Sequence, residues 1–205
     1  MKRLVVVTAG LSEPSSTRLL ADRLAEATAR LTPVQVRVVE LRELAVDVAK
    51  NLVSGFPTPA LREVLEAVAA ADGLIAVTPV FTASYSGLFK SFFDVLENTA
   101  LTGKPVLLAA TGGSTRHSLA LEHALRPMFV YLRAVVLPTA VYAASSDWGA
   151  GVESGTEELA GRIDRAGAEL AAALGGAAAR PSSGTASGED ELVPFAEQLA
   201  ALGLE

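Results

Sequence analysis

Ser12, Ser15, Ser16, Thr17 and Arg18 place four hydroxyls and a guanidinium within seven positions. Behind them Leu19, Leu20, Leu24 and Ala27 mark one face of a helix ending near Leu31, and ahead of them the apolar run 4–7 suits a strand covered on both faces. A polar turn between a strand and a helix start gathers unpaired backbone N–H groups at the positive end of the helix dipole, so hydroxyls and an arginine there can cradle a phosphate. Serine is also a preferred helix cap, and spacing alone leaves both readings open for Ser15 and Ser16.

Two further turns carry the same stamp. After the apolar run 73–77 come Thr78, Pro79, Val80, Phe81 and Thr82, with Ser84, Ser86 and Gly87 following. Pro79 cannot donate a backbone hydrogen bond, the hydroxyls can bind polar edges, and glycine admits close approach. After the apolar run 106–110 come Thr111, Gly112, Gly113, Ser114 and Thr115, whose paired glycines can bring backbone N–H groups against a flat ring or an anion. Uncharged loops of this kind suit a planar heterocycle with polar edges, and a flavin mononucleotide fits them better than a metal or a triphosphate.

Other chemistries lack their residues. There is no G-x-x-x-x-G-K-[ST], G-x-G-x-x-G or G-x-S-x-G, and no cysteine to act as nucleophile or metal ligand. His117 and His123 are six apart and point about 240° around a regular helix from one another, so they cannot share a metal, and no metal is expected. The acidic pairs Glu157–Glu158 and Glu189–Asp190 fall at a helix start and in a polar stretch, where solvation is the simpler account. A net charge of −6 and a pI near 5.0 give no footing for nucleic acid. No apolar stretch approaches the roughly 18 residues of a membrane span, so a soluble, cytoplasmic protein is expected.

The elements that would hold these turns alternate strand and helix. Val34, Val36 and Val38 alternate with Gln35 and Arg37 as in a half-covered edge strand. Weak helicity follows over 42–50, then an irregular excursion over 51–58 and a short helix over 61–71. Leu88, Phe89, Phe92, Phe93 and Leu96 recur at helical spacing and belong to the core. A helix is expected over 116–132, a fifth strand over 134–143 interrupted at Pro138, and a last helix over 157–174. The pattern predicts a doubly wound α/β domain over residues 1–175 with helices on both faces of a parallel sheet, and in such folds ligands bind beyond the carboxyl ends of the strands. Residues 176–190 contain no aromatic or β-branched aliphatic side chain and read as a flexible linker, and 191–205 as a short C-terminal helix.

Three stretches, AGLSEPSSTRLL at 9–20, TPVFTASYSGLFKSFFDVL at 78–96 and ATGGSTRHSLALEHALRPMF at 110–129, resemble the NAD(P)H-dependent FMN reductases of the flavodoxin-like class. Within it, they resemble the branch that supplies reduced flavin to two-component monooxygenases. The resemblance implies a flavodoxin-like five-stranded sheet in the order 2-1-3-4-5. It implies that Ser12, Ser15, Ser16, Thr17 and Arg18 hold the FMN phosphate. Thr78, Pro79, Val80, Phe81 and Thr82 would run along the ring and ribityl chain, with Thr111, Gly112, Gly113 and Ser114 at the other edge. The wider family reads P-E-Y-N-x-x-x-P-G in the second loop, and here Val80, Phe81 and Thr82 replace Glu, Tyr and Asn, with Ser86 before the glycine.

Hydride transfer between stacked rings needs positioning and no side-chain nucleophile, so no catalytic residue is named. Arg116 is the first candidate to hold the phosphates of NADPH or NADH, with His117 beside it. The resemblance also implies a homodimer or homotetramer, with His123 at a subunit contact that influences flavin retention, and a flavin-dependent monooxygenase as partner. Two other readings stand beside it: an FMN-bound quinone or azo reductase, and a non-enzymatic flavodoxin-like electron carrier.

Overall fold

The computed structural model describes residues 1–148 and 153–175, and the expected linker 176–190 and terminal helix 191–205 lie outside the described residues. The valine-rich run begins the chain as β1 (Lys2–Thr8), followed by α1 (Ser16–Ala29), β2 (Val34–Glu40), a 3-10 turn (Leu41–Leu44), α2 (Ala45–Ser54) and α3 (Pro59–Ala70). Next come β3 (Gly73–Phe81), β4 (Ser84–Tyr85), α4 (Gly87–Asp94) and β5 (Pro105–Gly112). A 3-10 turn (Thr115–His117), a π-helical turn (Leu121–Leu125), α5 (Arg126–Tyr131), β6 (Val135–Val136), β7 (Val141–Ala144), a 3-10 turn (Ser145–Trp148) and α6 (Glu153–Gly175) complete the described chain.

The sheet has the order β2-β1-β3-β5-β6, with β4 antiparallel on β3 and β7 parallel on β5. This corrects the expectation of five strands in the order 2-1-3-4-5 to seven strands, for two local reasons. The chain after β3 turns back at once as a hairpin, which adds β4. The run expected as one fifth strand is cut in two, because Pro138 has no N–H to continue a ladder. β6 pairs with Pro105 and Val106, and β7 with residues 109–112. At the break, Arg126 donates to the carbonyls of Leu137 and Pro138 (3.0 and 3.2 Å), and Thr139 donates to Glu169 through both N and Oγ1.

Period-two alternation divides the core. Val5, Val7, Leu74, Ala76, Val106 and Leu108 face α2 to α5, while Leu4, Val6, Ile75, Val77, Leu107 and Ala109 face α1 and α6. Phe89, Phe92 and Phe93 are buried as expected; Phe93 packs at a tilt on Phe89 and edge-on against Phe129, at centroid distances of 4.8 and 4.9 Å, and the second contact fixes α4 against α5. Lys104 is buried at the foot of β5, where its ammonium donates to the carbonyls of Val68 and Ala69 at the end of α3. Burial pulls its pKa down to about 8.

Two further expectations change. α2 runs on to Ser54, into the stretch expected to be irregular. The continuous helix over 116–132 is replaced by 3-10, π and α segments. Pro127 cannot donate to the carbonyl four residues back, and the Arg126 N–H instead reaches Leu121 O, widening the turn that contains His123. Among the described residues no helix is long and apolar enough to cross a membrane.

Candidate functional site

The ends of β1, β3, β5 and β7 open together onto a cavity of about 810 Å³. Of the residues expected there, Ser12, Ser15, Ser16, Thr17, Pro79, Val80, Phe81, Thr111, Gly112 and Gly113 line it. Adjacent register explains the convergence: Pro79 lies beside Thr111, and Gly112 beside Ala144.

The first turn is folded tightly enough that a Cβ on Gly10 would sit 2.1 Å from Ser15 Oγ. Ser15 is the N-cap of α1 and accepts from the Arg18 N–H, so the capping reading holds for this residue. That leaves the first N–H groups of the helix, on Ser16 and Thr17, with no intrahelical partner, and both residues line the cavity. The first turn of α1 carries no acidic residue that would repel an anion. Thr17 Oγ1 bonds Thr111 Oγ1 across the sheet at 2.8 Å, tying the first turn to the third.

Arg18 lies elsewhere. Its guanidinium is held by Asp22 and Glu40, Glu40 also pairs with Arg42, and Arg42 reaches Glu13. The hydrogen bond to Asp22, above all, raises its pKa. This chain of ion pairs braces the turn from behind and does not line the cavity.

In the second turn Thr78 is fully buried; its hydroxyl bonds Pro79 O and accepts from the Ser86 N–H, so it shapes the loop from within and is not exposed to the cavity. Val80 and Phe81 line the cavity as the last residues of β3, and Phe81 is 47% exposed. Thr82 is at the hairpin tip, outside the lining. Thr82 and Ala83 have φ of 48° and 68°, the geometry of a two-residue turn that ordinarily uses Asn-Gly, and a β-branched residue there is strained. The double substitution Thr82→Asn/Ala83→Gly is expected to stabilise the protein by about 2 kcal/mol, a melting temperature several degrees higher, read by thermal denaturation. A lower melting temperature would contradict the strain.

In the third turn, a Cβ on Gly112 would lie 2.1 Å from Tyr142 Oη, whereas Gly113 faces open space. Tyr142 donates its hydroxyl to Ser114 O at 2.7 Å. Burial, and then the charge of Asp147, push the Tyr142 pKa up, which keeps that hydroxyl protonated and donating. Ser114 itself turns away and accepts from the Arg116 N–H at 3.2 Å. Arg116 and His117 are exposed on the following turn, outside the cavity lining. His123 is also exposed, in a separate groove of about 690 Å³ between α4 and the π-helical turn, together with Tyr85, Lys90, Asp94 and Tyr131.

Leu11, Pro14, Leu19, Ser145 and Trp148 line the cavity without having been candidates for it from sequence. The available signal was topological. Ser145 and Trp148 follow the strand expected to end at 143, and its carboxyl end is by the same rule part of the site.

The cavity thus brings together hydroxyls, the N-terminal residues of α1, two glycines and apolar side chains. Among the described residues no cluster of His, Cys, Asp or Glu could hold a metal. Residues 2–149 match the family of NADPH-dependent FMN reductases. The chain belongs to this family. It is an NAD(P)H:FMN oxidoreductase, with FMN and a reduced nicotinamide nucleotide as its cofactors.

The reductase is 39% identical to an FMN reductase (NADPH) of Pseudomonas aeruginosa over 174 residues, 85% of this chain and 92% of that one. It is 38% identical to the NADH-dependent FMN reductase SfnF of Pseudomonas fluorescens over 179 residues, 87% and 95% of the two chains. An oxidoreductase from Corynebacterium diphtheriae superposes with a TM-score of 0.81 at 48% identity, covering 86% of this chain and 98% of that one. A flavodoxin, WrbA-like protein from Agrobacterium tumefaciens superposes with a TM-score of 0.57 at 17% identity over 85% and 96% of the two chains, which identifies the fold of the reductase as flavodoxin-like.

Proposed function

We propose that the enzyme takes FMN as a dissociable substrate, reduces it with NADPH or NADH and releases FMNH2 to a flavin-dependent monooxygenase. The observation that carries this reading is the open space at Gly113, where no atom comes within 4 Å of a Cβ built on the glycine. Bound FMN would supply the two-electron acceptor. The protein's part is to hold and orient: Ser12 and Ser16 with the N–H groups of Ser16 and Thr17 bind the phosphate, and Ser15 and Thr17 fix their geometry. Arg18 acts on the phosphate only through the brace to Glu40. Val80, Phe81, Thr111, Gly112 and Gly113 receive the ring, while Thr78, Thr82 and Ser114 shape the loops that present them. Arg116 and His117, exposed beyond Gly113, attract the phosphates of the nicotinamide nucleotide.

Self-association through the groove that contains His123 belongs to the same reading. Tyr131, which lines that groove, is 78% exposed, and Val130 beside it in sequence is 58% exposed, so both leave apolar surface that a second copy could cover. The relatives divide between NADPH and NADH in their names, so both nucleotides are expected to serve.

The test is steady-state oxidation of NADPH and NADH by purified protein with and without added FMN. Oxidation that depends on free FMN and saturates with it supports the proposal. Oxidation that proceeds without added FMN and requires a quinone or azo dye indicates a tightly held flavin, and no oxidation at all indicates a carrier.

A further inference from the structure

We infer that Trp148 is a positioning residue for the flavin ring and sets how long FMN stays bound, an inference that rests on the cavity being the FMN site. β5 lies between β3 and β7. The glycines at its carboxyl end are therefore flanked by Phe81 from the β3 hairpin and by Trp148 from the turn after β7, and both aromatic side chains line the cavity. Neighbouring strands are about 4.8 Å apart, so the two flanking strands are separated by roughly 10 Å, a gap that a flat ring standing or lying over the glycine floor can bridge.

Trp148 is held more firmly than Phe81. Its indole is half-buried against the α1–α6 side of the core, and the Arg23 guanidinium covers one ring face at 5.1 Å from the centroid. The turn that presents it is pinned by Asp147, whose Oδ2 accepts from the Ala144 N–H at 2.9 Å and lies 3.7 Å from Arg162 Nη2. Arg162 also donates to Tyr142 O at 3.0 Å, and the Tyr142 hydroxyl donates to Ser114 O. The glycine loop and the tryptophan turn thus form one linked unit, and Trp148 keeps a fixed position relative to the floor. A preorganised aromatic wall adds contact with a bound ring without an ordering cost at the moment of binding.

The test is FMN affinity of the full chain, measured by equilibrium ultrafiltration with flavin absorbance and checked against a thermal melt of each variant. Trp148→Ala is expected to weaken FMN binding at least tenfold with the melt retained, and Trp148→Phe to stay within about threefold of the wild type. Trp148→Leu, which keeps apolar volume without a ring, decides the matter if the alanine variant does not fold, and is expected to bind as weakly. Trp148 is the only tryptophan, so quenching of wild-type tryptophan emission by added FMN gives a second readout. Unchanged affinity in Trp148→Ala, or equal loss in the phenylalanine and leucine variants, overturns the inference while leaving the flavin site in place. A wild type that binds no FMN removes the site itself, and the inference with it.

Discussion

Replacing Ser16 with aspartate is expected to leave the protein slightly more stable and nearly unable to bind FMN. Ser16 is the first residue of α1, exposed at the cavity, with Ser15 already serving as the cap. A carboxylate in that first turn interacts favourably with the helix dipole, worth about 0.5 kcal/mol. It also puts a negative charge where the phosphate would sit. At about 4 Å and an effective dielectric near 20 the repulsion is on the order of 4 kcal/mol, so a loss of a hundredfold or more in affinity is expected. Ultrafiltration with FMN and a thermal melt give the two signs independently. Ser16→Ala, which keeps the backbone N–H groups and adds no charge, is expected to lose only a fewfold. Full FMN affinity in Ser16→Asp would mean that the phosphate is held somewhere other than this helix end.

Gly112→Ala is expected to damage both fold and site. The new Cβ would be 2.1 Å from Tyr142 Oη and 3.1 Å from its Cζ, and Tyr142, 4% exposed, has no room to retreat. Forcing an overpacked methyl into such a place costs about 2 kcal/mol, and displacing the hydroxyl from Ser114 O costs about 1 kcal/mol more. The melting temperature should fall by roughly 10 °C, and FMN affinity should fall with it because the same bond shapes the glycine loop. Tyr142→Phe alone removes only the hydrogen bond, about 1 kcal/mol. In the double variant the Oη clash is gone, so it should be less destabilised than the sum of the two single changes. Strict additivity would show that the glycine is not there to admit the tyrosine.

These two experiments bear on residues of different legibility. The place of Ser16 at a helix start beside the cavity could be read from sequence because strand, polar turn and helix follow one another within a few positions. The glycine pair was also visible, but its reason was not. The sequence suggested close approach of a ligand at Gly112 and Gly113 alike, whereas Gly112 makes room for Tyr142, thirty positions away, and only Gly113 is open. Arg18 shows the opposite failure. Its type and place suited a phosphate, but Glu40 arrives at the end of a neighbouring strand and, with Asp22, takes the guanidinium. Thr78 likewise looked available and is consumed by the loop it begins.

Local patterns determined the alternation of buried strands and amphipathic helices, the edge position of β2, the three polar turns and the phenylalanine core. All of these are consequences of periodicity, proline and glycine acting over a few neighbouring residues. Only the tertiary structure decided that Glu40 takes the Arg18 guanidinium, that Tyr142 fills the space beside Gly112, and that Trp148, with Arg23 over its ring, enters the lining of the cavity. Each of those depends on a partner distant in sequence, and a pattern along one chain carries no information about which distant group will reach a given hydrogen-bonding or packing position first.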